Sequence, residues 1–169
     1  MRTHLAMLAF LFVSIQITKG QSCSCPLPDR YESIADQFLN LSDWEKERCE
    51  DEHLPFGTPS IKTGDTLLHQ DAFVTCYNKQ YRIPMWVAYR LNAFQFDPMV
   101  DRIDCFRRDI RISDDDASFC SDYNEPVFDR GHMVPSADLK YDGYAVINST
   151  VLTNVAPQRA NFNQKTWMF

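Results

Sequence analysis

The sequence predicts an α+β fold in which short antiparallel strands pack against a few helices. Two segments, residues 72–77 and 84–91, are rich in β-branched and aromatic residues and are bounded by turn formers, which is typical of buried strands. Helix signals stand on either side of them. Ser42 begins a Ser-x-x-Glu capping box, and Asn161 opens a stretch without glycine or proline. With 169 residues, 44% of them hydrophobic, the chain can bury one sizeable core.

The first twenty residues are predicted to be a secretory signal peptide. Arg2 is followed by an apolar run over residues 5–13 and by the small residue Gly20, and this run is too short to span a bilayer. An uncut N-terminal anchor is the alternative. We therefore expect a secreted, extracellular protein. Its predicted parts are a signal peptide (1–20), a cysteine-rich segment packed on the core (21–65) and a main domain (66–169).

All six cysteines lie beyond the signal segment, and an even number of cysteines in an exported chain favours disulfides. Cys105 and Cys120 bracket a polar segment, which favours a local disulfide between them. A zinc site is the weaker interpretation because the sequence contains no Cys-x-x-Cys pair. Two sequons, at Asn40 and Asn148, predict a glycosylated surface.

In chain order, the first predicted elements are helices. Residues 31–38 have a helix-like pattern, and a second helix begins where Ser42 and Glu45 would each satisfy a free backbone N–H. Prolines and glycines over residues 54–64 then predict an irregular connection into the core. Of the two strands that follow, residues 84–91 are almost continuously hydrophobic in their first half. That strand is therefore expected to be central.

The second half of the chain is expected to continue with strands. Residues 97–116 hold four arginines among aspartates, which is typical of a solvated face; the alternative is that some arginines lie beside the path of a phosphate. Residues 127–133 and 145–153 have the composition of two further strands. The segment from Asn161 onward is predicted to start a helix.

The formal net charge of −6 restricts the classes of function. Removal of Arg2 and Lys19 with the signal peptide would make the remaining chain still more acidic. An acidic surface argues against tight non-specific binding of nucleic acid, which depends on cations that neutralise phosphates. An enzyme with a local cationic site remains compatible with this charge.

The most specific chemical pattern is the run Asp129-Arg130-Gly131-His132. Hydrolysis of a phosphodiester needs a base for the water, a cation for the charge that develops on the phosphate, and usually a metal ion. His132 is the candidate base, because a neutral imidazole is available at physiological pH. Arg130 carries a permanent charge that suits phosphate oxygens, and Gly131 allows close approach of the backbone.

A second polar stretch near the end of the chain complements this motif. It contains Asn154, Gln158 and Asn163, and Asn163 offers an amide oxygen to a hard cation such as Mg²⁺. Asp129 would either orient the site or join the metal ligands. Asn154 would support the site or pin a loop, and Gln158 has no assigned chemistry. We expect the two stretches to form one active site.

Asp129-Arg130-Gly131-His132 together with Thr153-Asn154-Val155-Ala156-Pro157-Gln158, Asn163-Gln164 and Trp167 resembles the DNA/RNA non-specific endonuclease family of the ββα-metal type. The resemblance covers about residues 66–169. It implies a ββα-metal fold with a central antiparallel sheet, and a Mg²⁺-dependent endonuclease that hydrolyses DNA and RNA. Mn²⁺ or another divalent cation is the alternative cofactor. By position, His132 would be the general base, Asn163 the direct metal ligand and Arg130 the phosphate contact, with Asp129 and Asn154 as supporting groups.

The family's pattern also extends beyond this chain. Active members carry an acidic residue shortly after the position that matches Trp167, and the sequence given ends at Phe169. We therefore expect a piece of a longer gene product with a domain that is incomplete at its C-terminus; a shortened, inactive protein is the alternative. Family members are often dimers, so a homodimer is an expectation from the resemblance alone.

The upstream half carries a second resemblance. His53-Leu54-Pro55-Phe56-Gly57 and Ile83-Pro84-Met85-Trp86-Val87 are similar to the nuclease-like domain of ecto-nucleotide pyrophosphatase/phosphodiesterases. Those domains share the fold and have generally lost the catalytic motif, which this chain retains. The alternative function is accordingly a non-catalytic nuclease-like module associated with an extracellular nucleotide phosphodiesterase.

Overall fold

The computed structural model describes residue 36 and residues 39–166. The predicted signal peptide, almost all of the predicted helix at 31–38, and Trp167 lie outside the described residues. The described residues contain two α-helices and five strands in an α+β arrangement, as the sequence predicts. In chain order they are α1 (Asp43–His53), β1 (Asp65–Gln70), β2 (Phe73–Asn78), β3 (Ile83–Ala88), β4 (Phe128–His132), α2 (Gly143–Ser149) and β5 (Val155–Arg159).

Helix α1 begins at the predicted capping box. The backbone N–H of Ser42 donates to the Glu45 carboxylate over 2.7 Å, and the Ser42 hydroxyl donates to the same carboxylate. The helix packs on the first sheet through Cys49, in a buried cluster that also contains Leu54 and Val74. Its last residue is fixed as well, because the ring of His53 contacts the carbonyl of Asp71 and accepts the N–H of Arg90.

The first sheet has three antiparallel strands in the order β1-β2-β3. All six residues of β2 are buried, so β2 is the central strand. The prediction that β3 is central was wrong. Pro84 has no N–H to donate to a further strand, and Met85 is 41% exposed, both of which suit an edge strand.

Residues 145–153, which the sequence predicted to form a strand, are mostly helical instead, and only Val151 forms an isolated β-bridge, with Arg107. Helix α2 covers their first half, and a 3₁₀ turn at Leu152–Asn154 follows. The cause is local: the Asp142 carboxylate accepts the N–H groups of Tyr144 and Ala145, each over 2.9 Å, and so caps the helix. β-branched composition is a weaker signal than such a cap.

The largest buried cluster connects the first sheet to the segment after β4. Phe73 of β2 packs with Val134, Leu139 and Val146, all 1% exposed or less. Burial of such side chains is worth about 1.5–3 kcal/mol each. This contact sets the position of the loop after His132 relative to the sheet.

The charged segment 97–116 is only partly a solvated face. Asp109 is 2% exposed and forms an ion pair with Arg111 over 2.6 Å. Arg107 donates to the carbonyl of Ile147 over 2.6 Å and to the side chain of Asn148 over 3.1 Å. Buried charges are stable only when they are paired and hydrogen-bonded, and both arginines meet this requirement. Arg107 and Arg111 therefore have a structural role in the fold.

Burial also decides between the predicted modification sites. Asn148 is 3% exposed within α2, which disfavours glycosylation there, whereas Asn40 is exposed and is the better candidate; glycosylation itself stays a prediction. Cys105 and Cys120 are both disulfide-bonded, and a bond between these two stays a prediction. Cys49 carries a free buried thiol, and burial raises its pKa to about 12. In the described part of the chain no helix is long and apolar enough to cross a bilayer.

Candidate active site

Strands β4 and β5 bring the two polar stretches of the sequence together. They pair antiparallel, and the register places His132 opposite Val155 and Asp129 opposite Gln158. The predicted strand at 127–133 is thus confirmed as β4, and its pairing partner begins directly after Asn154. A π-helical turn, Phe162–Thr166, follows β5 and carries Asn163.

A cavity of about 710 Å³ opens beside this strand pair. Four of the five predicted site residues line it: Asp129, Arg130, His132 and Asn163. The remaining lining comes from Gln164, from the earlier charged segment and from the residues that follow the motif: Arg102, Pro135, Ser136, Ala137, Asp138 and Lys140. The cavity therefore combines cations, carboxylates and an imidazole.

His132 lies at the end of β4 and is partly buried. Its ring centroid is 5.2 Å from that of Phe106, and the buried Nε2 atom has no hydrogen-bond partner among the described residues. Burial, and after it the positive charge of Arg102, lowers the pKa of His132 to about 4. The imidazole is therefore neutral near pH 7 and can accept a proton.

Arg130 is held by aromatic packing. Its guanidinium carbon lies 4.7 Å from the centroid of the Phe106 ring, a distance typical of a cation–π contact. Its Nη1 atom is also 3.7 Å from the sulfur of Cys120. Phe106 thus contacts both the predicted base and the predicted phosphate ligand, and the sequence had not singled it out.

Asp129 connects β4 to the turn that carries Asn163. Its Oδ2 atom accepts the amide of Asn163 over 3.1 Å and that of Gln164 over 2.7 Å. Asn163 donates this hydrogen bond through Nδ2. Its amide oxygen accepts no hydrogen bond from a described residue. Asp129 accordingly orients the residue that was predicted to hold the metal.

Asn154 does not line the cavity. It is fully buried, its Oδ1 atom accepts the N–H of Val134, and its Nδ2 atom donates to the carbonyls of Val134 and Ser149. All of the hydrogen bonds of its side chain are therefore with backbone groups. Of the two roles considered for Asn154, this geometry favours pinning the loop after His132.

Gly131 is required by its neighbour across the strand pair. A Cβ atom at this position would overlap the side chain of Gln158. Gln158 is 9% exposed, and its buried Oε1 atom has no hydrogen-bond partner in the described part of the chain. The glycine thus leaves room for a side chain that packs beneath the site.

The family model for DNA/RNA non-specific endonucleases matches residues 52–168, well over half of the chain. The chain belongs to this family. Enzymes of the family hydrolyse phosphodiester bonds in nucleic acids and in general depend on a divalent metal ion. The match begins at Glu52, so it includes the end of α1 and the connection into β1.

Three curated proteins illustrate what this chain is similar to. Ectonucleotide pyrophosphatase/phosphodiesterase family member 3 of Mus musculus is 30% identical over 89% of this chain and 18% of its own length. Mitochondrial endonuclease G of Homo sapiens is 30% identical over 66% of this chain and 37% of its own length. Nuclease C1 of Cunninghamella echinulata var. echinulata is 31% identical over 69% of this chain and 47% of its own length. The chain therefore spans less than half the length of each of these relatives.

The oxygen atoms at the site suit the divalent metal on which the family in general depends. The described residues contain no group of three or more His, Cys, Asp or Glu side chains suited to a metal ion. The amide oxygen of Asn163 and the carboxylate of Asp129 are instead neighbouring hard donors in the cavity, which the carboxylate of Asp138 also lines. A Mg²⁺ ion keeps several waters and needs few protein ligands, so this small donor set fits such an ion.

Several residues that line the cavity were not predicted from the sequence. Arg102 is one of the four arginines of residues 97–116, for which a position beside the phosphate was the alternative prediction. Of these four arginines, Arg102 lines the cavity. Ser136, Asp138 and Lys140 follow the motif within a few positions but had no recognisable pattern. The homodimer expected from the family resemblance stays a prediction.

Proposed function

We propose that this chain is the nuclease domain of a secreted, Mg²⁺-dependent endonuclease that hydrolyses DNA and RNA without selecting the sugar. The observation that carries the proposal is the β4–β5 pairing, which places His132 in one cavity with Arg130, Asp129 and Asn163. Secretion is supported by the apolar N-terminal run and by the disulfide-bonded Cys105 and Cys120.

Each side chain has a distinct task in the proposed reaction. Water attacks the phosphorus, the neutral imidazole of His132 accepts the proton that the water loses, and the bond from phosphorus to the leaving oxygen breaks, with a proton from solvent completing the released hydroxyl group. Arg130 binds the phosphate oxygens, where negative charge increases in the transition state. Asn163, oriented by Asp129, would hold the divalent cation. When bound, that cation supplies positive charge near the phosphate and the leaving oxygen.

The test is hydrolysis of plasmid DNA and of RNA by the full-length protein. We expect cleavage of both substrates with Mg²⁺, loss of cleavage in EDTA, and a loss of about 100-fold or more in His132→Ala. His69→Ala is the matched control, because His69 lies in β1, pairs with Glu50 of α1 and does not line the cavity. Circular dichroism would show that both variants are folded. Cleavage by His132→Ala at the parent's rate would refute the mechanism.

A second candidate function is a non-catalytic module associated with an extracellular nucleotide phosphodiesterase. The specific observation in its favour is coverage: the Mus musculus relative aligns with 89% of this chain, and endonuclease G with 66%. The same assay separates the two candidates. A folded parent protein that cleaves neither substrate with Mg²⁺, and that raises the melting temperature of a phosphodiesterase domain on mixing, would support the module.

A further inference from the structure

The cavity has a second wall that the proposed reaction does not use. It is formed by the segment after β4, where a 3₁₀ turn at Ser136–Leu139 is followed directly by Lys140. The backbone carbonyl of Lys140 accepts the N–H groups of Met99 and Val100, over 2.9 and 3.1 Å. These bonds tie the segment that leads to Arg102 against the segment that carries Lys140.

The charges of this second wall are unevenly compensated. Arg102 pairs with the exposed Asp104 over 2.6 Å, and Asp138 accepts the hydroxyl of Tyr89 over 2.8 Å. Lys140 is partly buried and forms no ion pair with a described residue. Its ammonium group is therefore available to an anion that enters the cavity, beside Arg130 and His132, which line the same cavity.

We propose that Lys140 binds a second phosphate of a polynucleotide strand, adjacent to the phosphate that is cleaved at His132. This inference rests on the proposed nuclease function. The cavity then holds at least two consecutive phosphates, and the protein favours polynucleotides over isolated phosphodiesters. An ammonium group binds phosphate as a point charge and reads no base, so the contact adds affinity without sequence preference.

The first experiment measures binding without cleavage. A fluorescent DNA oligonucleotide is titrated with the full-length protein in EDTA at several salt concentrations, and anisotropy gives the dissociation constant. Lys140→Ala should weaken binding about five- to tenfold at about 0.1 M salt and should reduce the slope of log affinity against log salt by about one. Lys79→Ala is the matched control, because Lys79 is an exposed lysine that does not line the cavity.

The second experiment compares substrates with Mg²⁺ present. Lys140→Ala should raise KM for the oligonucleotide about five- to tenfold with kcat unchanged. Its kcat/KM for bis(p-nitrophenyl) phosphate, which has a single phosphate, should equal that of the parent, and Lys140→Arg should restore most of the lost affinity. A salt slope in Lys140→Ala equal to that of Lys79→Ala would overturn the assignment. So would an equal loss of kcat on both substrates. A parent that binds the oligonucleotide through Lys140 but cleaves nothing would refute the nuclease function alone.

Discussion

Two properties of His132 suit a residue that accepts a proton from water. Its Nε2 atom is buried without a hydrogen-bond partner among the described residues, and its ring packs against Phe106. Burial first, and then the charge of Arg102, lowers the pKa of this imidazole to about 4, so protonation is disfavoured. Burial leaves the Nε2 atom of His132 without a hydrogen bond, which is unfavourable for stability. The same burial keeps the imidazole neutral, which is the form that can accept a proton.

The acid limb of the pH–rate profile should report this pKa. We expect kcat/KM to fall as the pH decreases through about 4, because protonated His132 cannot accept a proton. Arg102→Ala removes a charge that lowers the pKa, so the limb should move to higher pH. Arg48→Ala, which breaks an exposed pair with Asp71, is the control and should leave the limb unchanged. An identical acid limb in Arg102→Ala and the parent would contradict this account.

Asn163 is the residue whose loss should change the metal requirement. Asn163→Ala removes an amide oxygen from the cavity, so the Mg²⁺ concentration for half-maximal activity should rise at least tenfold. Even substitutions of residues that only hydrogen-bond to a metal ligand lower metal affinity by about tenfold or more. Isothermal titration with Mg²⁺ gives a readout that does not depend on turnover. Asn161→Ala serves as the control, because Asn161 is exposed two residues earlier. Equal Mg²⁺ affinity in both variants would exclude Asn163 as a ligand.

At the scale of elements, the site depends on how β4 ends and β5 begins. Asn154 precedes β5, and its backbone carbonyl accepts the N–H of Met133 over 2.8 Å while its side chain binds Val134. The same side chain reaches the carbonyl of Ser149 at the end of α2. One buried residue thus joins the strand that carries His132, the following loop and a helix.

Asn154→Ala should therefore act on stability as well as on activity. It leaves buried backbone groups of Val134 and Ser149 without partners, which should lower the free energy of unfolding by about 2–4 kcal/mol. Urea denaturation measures this change, with Asn124→Ala at an exposed position as the control. His132→Ala, in contrast, should lose activity with little change in stability. A stable but inactive Asn154→Ala would instead favour direct participation in the reaction.

At the scale of the whole molecule, a buried ionic network joins distant parts of the chain. Asp109 pairs with Arg111 and accepts the hydroxyl of Thr153 over 2.6 Å, just before β5. Arg111 also donates to the carbonyls of Leu39 and, over 2.7 Å, of His69 in β1. Burial alone would raise the pKa of Asp109, but the hydrogen bonds and charge of Arg111 outweigh it and lower that pKa.

This network predicts how stability responds to acid. Because the folded-state pKa of Asp109 lies below the unfolded value, its contribution is present above the unfolded pKa and is lost as the pH falls through the folded pKa. Asp109→Asn should lower the free energy of unfolding by about 3 kcal/mol near pH 7. It should also make that free energy less sensitive to pH below about 4. Thermal unfolding measures both effects, and Asp43→Asn, in an exposed pair with Lys46, should show neither.

Particular residues show how much of the fold the sequence could predict. Ser42 and Glu45 predicted the start of α1, and residues 127–133 predicted β4, because capping and strand composition are local signals. The order of the first sheet could not be read in the same way. A hydrophobic run indicates burial but does not say which neighbour provides it, and β2 took the central place that β3 was expected to hold. Asp142 likewise turned an expected strand into α2.

The sequence by itself determined the family and the chemistry that the site offers. Asp129, Arg130, Gly131 and His132 are consecutive, so their proximity follows from the covalent chain and needs no knowledge of the fold. Only the tertiary structure shows that Arg102 and Lys140 line the same cavity, whereas Asn154 is buried in the core. The physical reason is that contacts between distant segments depend on how buried side chains pack and which backbone groups they satisfy. Those choices are made by the whole molecule at once.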